Sequence, residues 1–312
     1  MVTTIGAVTR PIGRLLTAMV TPLTPDGAVD LERAPLLARA LVEAGNDGVV
    51  VNGTTGEAPT LTDQERWAVY DTVRAALPSH SVLMGTGSYD TAHAVALTRE
   101  AMARGADAAL VVAPYYSRPP QEGLIAHYSR IADVGLPVVL YNIPARCGVN
   151  LAVETTLALA AHGNVVGTKE AAGDVDQVAR ICAGAPDGFH VWSGDDGLTL
   201  PFMSAGAYGL ISVAAHVAGA ALRRLVDAAA GGDLRTASEL HARLLPLFHA
   251  MFAISNPIGV KAALQIAGMD CGSLRLPLVP MPDALRSALA QTMASLGDLV
   301  ELRLPDPVTS AR

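Results

Sequence analysis

Aromatic residues make up only 4 % of the 312-residue chain, and charged residues only 16 %. With a net charge of −7 the chain offers no basic field, which argues against nucleic acid or an anionic membrane as a partner. Cysteine is scarce too. Cys147, Cys182 and Cys271 are scattered and odd in number, so a reduced, cytoplasmic protein is expected, with no disulfide frame or zinc site. The eight histidines fall at no metal-ligand spacing, which disfavours metal-dependent chemistry and leaves no cofactor implied. No apolar run approaches the ~20 residues of a membrane span. The opening residues, with Arg10, Pro11 and Arg14, lack the apolar core of a signal peptide.

What is there in quantity is apolar: 51 % of the residues are hydrophobic, enough for a large core. Short β-branched or apolar runs alternate with helical patterns along most of the chain. The runs are Leu15 to Thr21, Gly48 to Asn52, Val82 to Thr86, Ala108 to Ala113, Pro137 to Asn142, Val165 to Lys169, Phe189 to Ser193 and Tyr208 to Val213. Between them lie helix-start signals: Asp30, the Thr62-Asp-Gln-Glu65 capping box, Asp90 and Asp174. Eight strand–helix alternations with short loops predict an α/β fold, a (β/α)₈ TIM barrel, over residues 1–232 with a loose N-terminal arm. An open doubly wound sheet is the alternative if one element is miscounted. After Gly231-Gly232 the strands stop. Residues 233–312 read as a C-terminal helical appendage, with Leu240, Leu244, Leu247, Phe248 and Met251 on an apolar face.

A barrel gathers chemistry at the C-terminal ends of its strands. Strand six ends there in Lys169, with Glu170 turned by alternation to the other face. An ammonium among apolar groups loses hydration, so its pKa falls and a neutral amine becomes available for Schiff-base chemistry. A lysine that snorkels to solvent is the plain alternative. At the same mouth fall Gly53-Thr54-Thr55-Gly56-Glu57, Tyr115-Tyr116, Tyr141-Asn142 with Arg146 close behind, Ser193-Gly194-Asp195-Asp196, and Ile211-Ser212. The threonine loop is either a tight turn or a carboxylate cradle, and it lacks the lysine of a phosphate loop. The tyrosines could pack or sit at an interface. Arg146 is either a surface residue or a bidentate carboxylate contact. Asp195 and Asp196 are either a paired acid site or a turn with a helix cap, and the glycines on either side favour the turn. His93 and His127 fall in helices and read as surface or packing residues.

These motifs, with Asn256-Pro-Ile-Gly-Val-Lys261, together resemble the dihydrodipicolinate synthase family of pyruvate-dependent class I lyases, a superfamily that includes N-acetylneuraminate lyase. The resemblance runs from about Leu15 to Pro280. It implies condensation of pyruvate with aspartate 4-semialdehyde, in the diaminopimelate route to lysine. It implies an imine on Lys169 and proton relay by Tyr141. Thr54 would link Tyr141 to Tyr116, the latter from a neighbouring subunit of a homotetramer. Thr55 would hold the pyruvate carboxylate, and Gly194 and Ile211 would offer backbone groups to the ketoacid. Arg146 would hold the carboxylate of the semialdehyde. Lyases of the superfamily that cleave 2-keto-3-deoxy sugar acids or acylneuraminates usually lack an arginine there, and they are the alternative.

One departure bears on regulation. Lysine-inhibited bacterial relatives supply a histidine, an asparagine and a glutamate around the feedback ligand, and the matching positions here are Asp63, Tyr89 and His93, with only Tyr115 retained. An ammonium in a partly desolvated cleft without a carboxylate partner is costly. Free lysine is therefore expected to inhibit weakly or not at all. Initial-rate titrations with L-lysine at high and low pyruvate check this. Half-inhibition below about 1 mM, a binding energy beyond roughly −4 kcal/mol, would show that the site has been rebuilt from other residues.

Overall fold

A computed structural model describes residues 11–301; the end of the N-terminal arm and the last residues of the C-terminal segment lie outside them. Eight parallel strands close into a barrel in chain order. They are β1 Leu15–Ala18, β2 Gly48–Val51, β3 Ser81–Gly85, β4 Ala108–Val112, β5 Val138–Asn142, β6 Val165–Glu170, β7 His190–Ser193 and β8 Gly209–Ser212. The seam between first and last strands pairs Leu16 with Ile211. The fold is the expected TIM barrel, followed by C-terminal helices.

The apolar runs are continuous because both faces of every strand are buried. Val49, Val51, Val82, Met84, Val111 and Leu140 point outward into the layer between strands and helices. Val50, Leu83, Leu110, Val139, Trp192 and Ile211 alternate inward and fill the barrel. Trp192 is the largest of the inner set. A Cβ on Gly167 would lie 2.6 Å from its ring, so only glycine at 167 leaves room for the indole. The indole N–H donates to the Gly13 carbonyl at 2.9 Å. On the opposite side of this plug from the catalytic mouth, a separate cavity of about 250 Å³ opens between Pro11, His190, Trp192 and Tyr208.

Local signals fix most helix starts. Thr62 and Glu65 form the full capping box, and Asp90 and Asp174 cap through their side chains. Asp30 departs from the expectation: its carboxylate accepts from the Glu32 and Arg33 N–H groups, one turn ahead of a helix that spans Arg33–Glu43. A one-turn helix, Pro144–Cys147, follows β5 and places Arg146; the sequence pattern, too short for a period, did not announce it.

After β8, helix Ala215–Ala230 covers the barrel, and helix Leu234–Phe252 packs against it. Leu222, Leu225 and Val226 join Leu240, Leu244 and Leu247 in the same apolar cluster that surrounds the strands. Pro246 sits inside the second helix without ending it. Helices Ile258–Ile266 and Asp283–Leu296 follow. The chain leading into and out of Ile258–Ile266 returns to the loop after β2, which brings the C-terminal region to the catalytic mouth. Among the described residues, no helix is long and apolar enough to cross a membrane.

Candidate active site

The centre of the site is a register match. Tyr141 on β5 stands beside Lys169 on β6, and both point into the barrel. The Lys169 Nζ lies 4.4 Å from the centre of the Tyr141 ring. Only 3 % of Lys169 is exposed, so it does not snorkel. Burial pulls its pKa down to about 8; Asp196 opposes this and Arg146 adds to it. At that value roughly half the amine is neutral at pH 8. The same burial pushes the Tyr141 phenol up to about 12, against Arg146 and a hydrogen bond with Thr54. Tyr141 thus keeps its proton where Lys169 can lose one.

Glu170 is on the far side of β6, as alternation requires. Its carboxylate accepts from Asn142, Gln177 and the Ala172 N–H behind the strand. It is not the charge that Lys169 feels. That charge is Asp196, which sequence reasoning had grouped with Asp195 as a cap. Asp195 does cap, accepting from the Gly197 N–H at 2.8 Å. Asp196 is buried instead and accepts from the Ser212 hydroxyl and from the N–H groups of Val213 and Ala214, both at 3.1 Å.

Thr54 reaches Tyr141, whereas Thr55 is buried and its hydroxyl oxygen accepts from the Asn256 side-chain amide at 2.9 Å. That bond leaves the Thr55 proton free to donate. Arg146 donates to the Asn256 carbonyl at 3.0 Å. Asn256 therefore joins two residues expected to hold carboxylates. Gly194 packs so closely that a Cβ there would sit 3.0 Å from the Lys169 side chain. Ile211 lies in the inner barrel cluster with Tyr141.

Thr54, Tyr115, Tyr141 and Arg146 line a cavity of about 210 Å³, together with Arg66 and Asn52. Lys169, Thr55, Gly194 and Ile211 do not line it; Lys169 lies behind the Tyr141 ring. Tyr116 stays outside its own chain's site. It is 95 % exposed and holds a left-handed backbone, φ 72°, uncommon for a bulky residue. Tyr115 instead turns in and meets Tyr89 edge to face at 5.3 Å. His93 and Asp63, at the positions expected to matter for lysine, bond each other at 3.0 Å. His127 packs as expected, buried and bonded to Thr91 at 2.8 Å. Among the described residues, no group of three or more His, Cys, Asp or Glu side chains is placed to hold a metal.

The sequence pattern does not show Asp196 as the charge beside Lys169, and it gives no role to Asn256 or to the pair Glu57 and Lys261, which meet at 2.6 Å. Asn256 and Lys261 did stand in a motif; nothing local in the sequence joined them to a loop some two hundred residues earlier.

Known proteins resemble this chain along most of its length. The model of the dihydrodipicolinate synthetase family matches residues 11–296. A protein of Symbiobacterium thermophilum named 4-hydroxy-tetrahydrodipicolinate synthase is 52 % identical over 290 residues, covering 92 % of this chain and 99 % of that one. The lysine-bound enzyme of Cyanidioschyzon merolae superposes with a TM-score of 0.89 at 40 % identity, over 92 % of this chain and 98 % of that one. The pyruvate complex of the chloride-inhibited enzyme from Acinetobacter baumannii superposes with a TM-score of 0.90 at 38 % identity, over 92 % and 99 % of the two chains. On the family model that spans the barrel and these matches, the chain belongs to the dihydrodipicolinate synthetase family.

Proposed function

We propose that this enzyme condenses pyruvate with aspartate 4-semialdehyde through an imine on Lys169, giving 4-hydroxy-tetrahydrodipicolinate in the diaminopimelate route to lysine. The observation that carries the reading is the buried Lys169 amine beside a protonated Tyr141, with Arg146 on the wall of the adjoining cavity. The names of the relatives support the substrates. Three cysteines without a disulfide support a cytoplasmic setting.

In this reading the neutral Lys169 amine attacks the pyruvate ketone. Tyr141, hydrogen-bonded to Thr54, hands on the proton that lets water leave. The Thr55 hydroxyl donates to the pyruvate carboxylate while Asn256 holds its oxygen. Loss of a methyl proton gives the enamine, whose carbon attacks the semialdehyde. Arg146 binds the carboxylate of that second substrate, its other side fixed on the Asn256 carbonyl. The substrate amine then displaces Lys169 and closes the ring. Gly194 and Ile211 flank the ketoacid with backbone groups. Tyr116 completes a neighbour's site in a homotetramer; its exposure and strained backbone support a role outside its own chain.

Purified enzyme, pyruvate and a panel of aldehydes test the reading, with aspartate semialdehyde expected to be consumed fastest. Preference for a sugar aldehyde or for N-acetylmannosamine would move the enzyme to the other lyases of its superfamily. Arg146→Ala should slow condensation about 10- to 100-fold, one lost charge-assisted contact, while borohydride-trapped imine on Lys169 forms as before. The comparison belongs above pH 9, because Arg146 itself lowers the Lys169 pKa.

The pH dependence of imine formation follows from the same charges. Attack needs the neutral amine, so the rate should rise with pH through an apparent pKa of about 8. Removing the Asp196 carboxylate removes what favours the ammonium, so Asp196→Asn should move this limb to lower pH. A limb that stays put or moves up would mean that the carboxylate does not act on the amine.

Tyr116 is tested by complementation. Inactive Tyr116→Phe and Lys169→Ala chains, mixed under conditions of subunit exchange, should recover part of the activity, because some mixed assemblies hold one intact site. No recovery despite demonstrated exchange would return Tyr116 to its own chain.

A further inference from the structure

The loop that carries Thr54 and Thr55 ends in Glu57, a non-glycine residue in the left-handed region, φ 56° and ψ 32°. Its carboxylate is buried and each of its oxygens meets a group of the C-terminal region. One oxygen meets the Lys261 ammonium at 2.6 Å, and the other accepts from the Arg275 N–H at 2.9 Å. Lys261 also donates to the Ser273 carbonyl at 2.7 Å. The side chains of this pair are only 4 % and 1 % exposed. Arg275 donates further to the carbonyls of Gly27 and Thr60 and pairs with Glu65.

A buried ion pair is a poor device for stability alone, because an apolar pair of the same shape does as well or better. What such a pair can do is fix one geometry. The strained backbone at Glu57 needs such fixing, since a left-handed conformation persists only where its surroundings determine it. The conformation in turn sets the turn before it: the Glu57 N–H donates to the Thr54 carbonyl at 3.1 Å, and the Gly56 N–H to the Gly53 carbonyl at 3.1 Å. Thr54 is the residue that must meet Tyr141.

We propose that Glu57 is a positioning residue for the reaction: its buried ion pair with Lys261 locks the turn after β2, so that the Thr54 hydroxyl stays on the Tyr141 phenol. The inference rests on the reading above in which Thr54 and Tyr141 pass protons. It assigns the C-terminal helix Ile258–Ile266 a part in the chemistry through Lys261, with no contact to substrate.

The test uses the full-length enzyme, rates of borohydride-trapped imine formation and melting temperatures. Glu57→Gln and Lys261→Met each leave one partner unpaired and should lower both. The double variant Glu57→Gln/Lys261→Met leaves no buried charge unpaired, so its melting temperature should return toward the parent value. Its imine formation should stay at least about tenfold slow, because misplacement on the ångström scale costs up to ~10²-fold. Adding Thr54→Ala to the double variant should cost little more, since the interaction it removes is already lost. A parent-like rate in the double variant overturns the inference. So does a Thr54→Ala penalty that adds in full, which would make the pair structural only. If the double variant does not fold, Glu57→Asp, which keeps the charge and shortens the reach, is judged by the same two criteria. Tyr141→Phe is the control for the underlying reading: if it forms imine at the parent rate, that reading fails, whatever the Glu57 variants do.

Discussion

The burial of one amine orders everything else at the mouth of this barrel. Taking Lys169 out of water favours its neutral form, and taking Tyr141 out of water favours its neutral form as well. A single physical cause thus acts on two neighbours in opposite senses of proton affinity, giving an amine that loses its proton more readily and a phenol that holds its proton more firmly. The charges that remain set the balance. Asp196 holds Lys169 back from losing its proton too readily, and Arg146 pushes the other way. Neither could act at this strength in open solvent, where such interactions are screened.

The strands supply this arrangement rigidly. Tyr141 and Lys169 are neighbours by register and need no loop to bring them together. The hydroxyl side of the site is different, because Thr54 and Thr55 lie on a connection. Loops carry function but are the least constrained part of a fold. Here the constraint comes from the far end of the chain. Asn256 holds Thr55 and Arg146 at once, and Lys261 and Arg275 hold Glu57. The C-terminal helices therefore extend the core and also brace the connection that carries Thr54 and Thr55.

How much of this was legible in the sequence followed from the range of the interactions. Strands buried on both faces announce themselves as apolar runs, and the Thr62–Glu65 capping box is complete within four residues. The strand-end position of Lys169 was legible for the same reason. Asp196 was not, because its partners Ser212, Val213 and Ala214 belong to the next strand and the helix behind it. Read locally it resembled its neighbour Asp195, which does cap a turn. Asn256 and Lys261 were visible as a motif, but their partners Thr55 and Glu57 lie two hundred positions away, and only the folded chain joins them. The difference between Tyr115, turned into the cavity, and Tyr116, turned out, was equally unreadable: a left-handed residue reverses the direction of a chain that alternation would have continued.

Trp192 has one further consequence, for traffic. With Gly167 giving it room, the indole closes the barrel between the reactive amine and the cavity at the opposite end. The two ends of the barrel are thereby separate compartments. A molecule in the cavity beside His190 and Tyr208 has the indole between it and Lys169, and one that reaches the amine does so from the Tyr141 side.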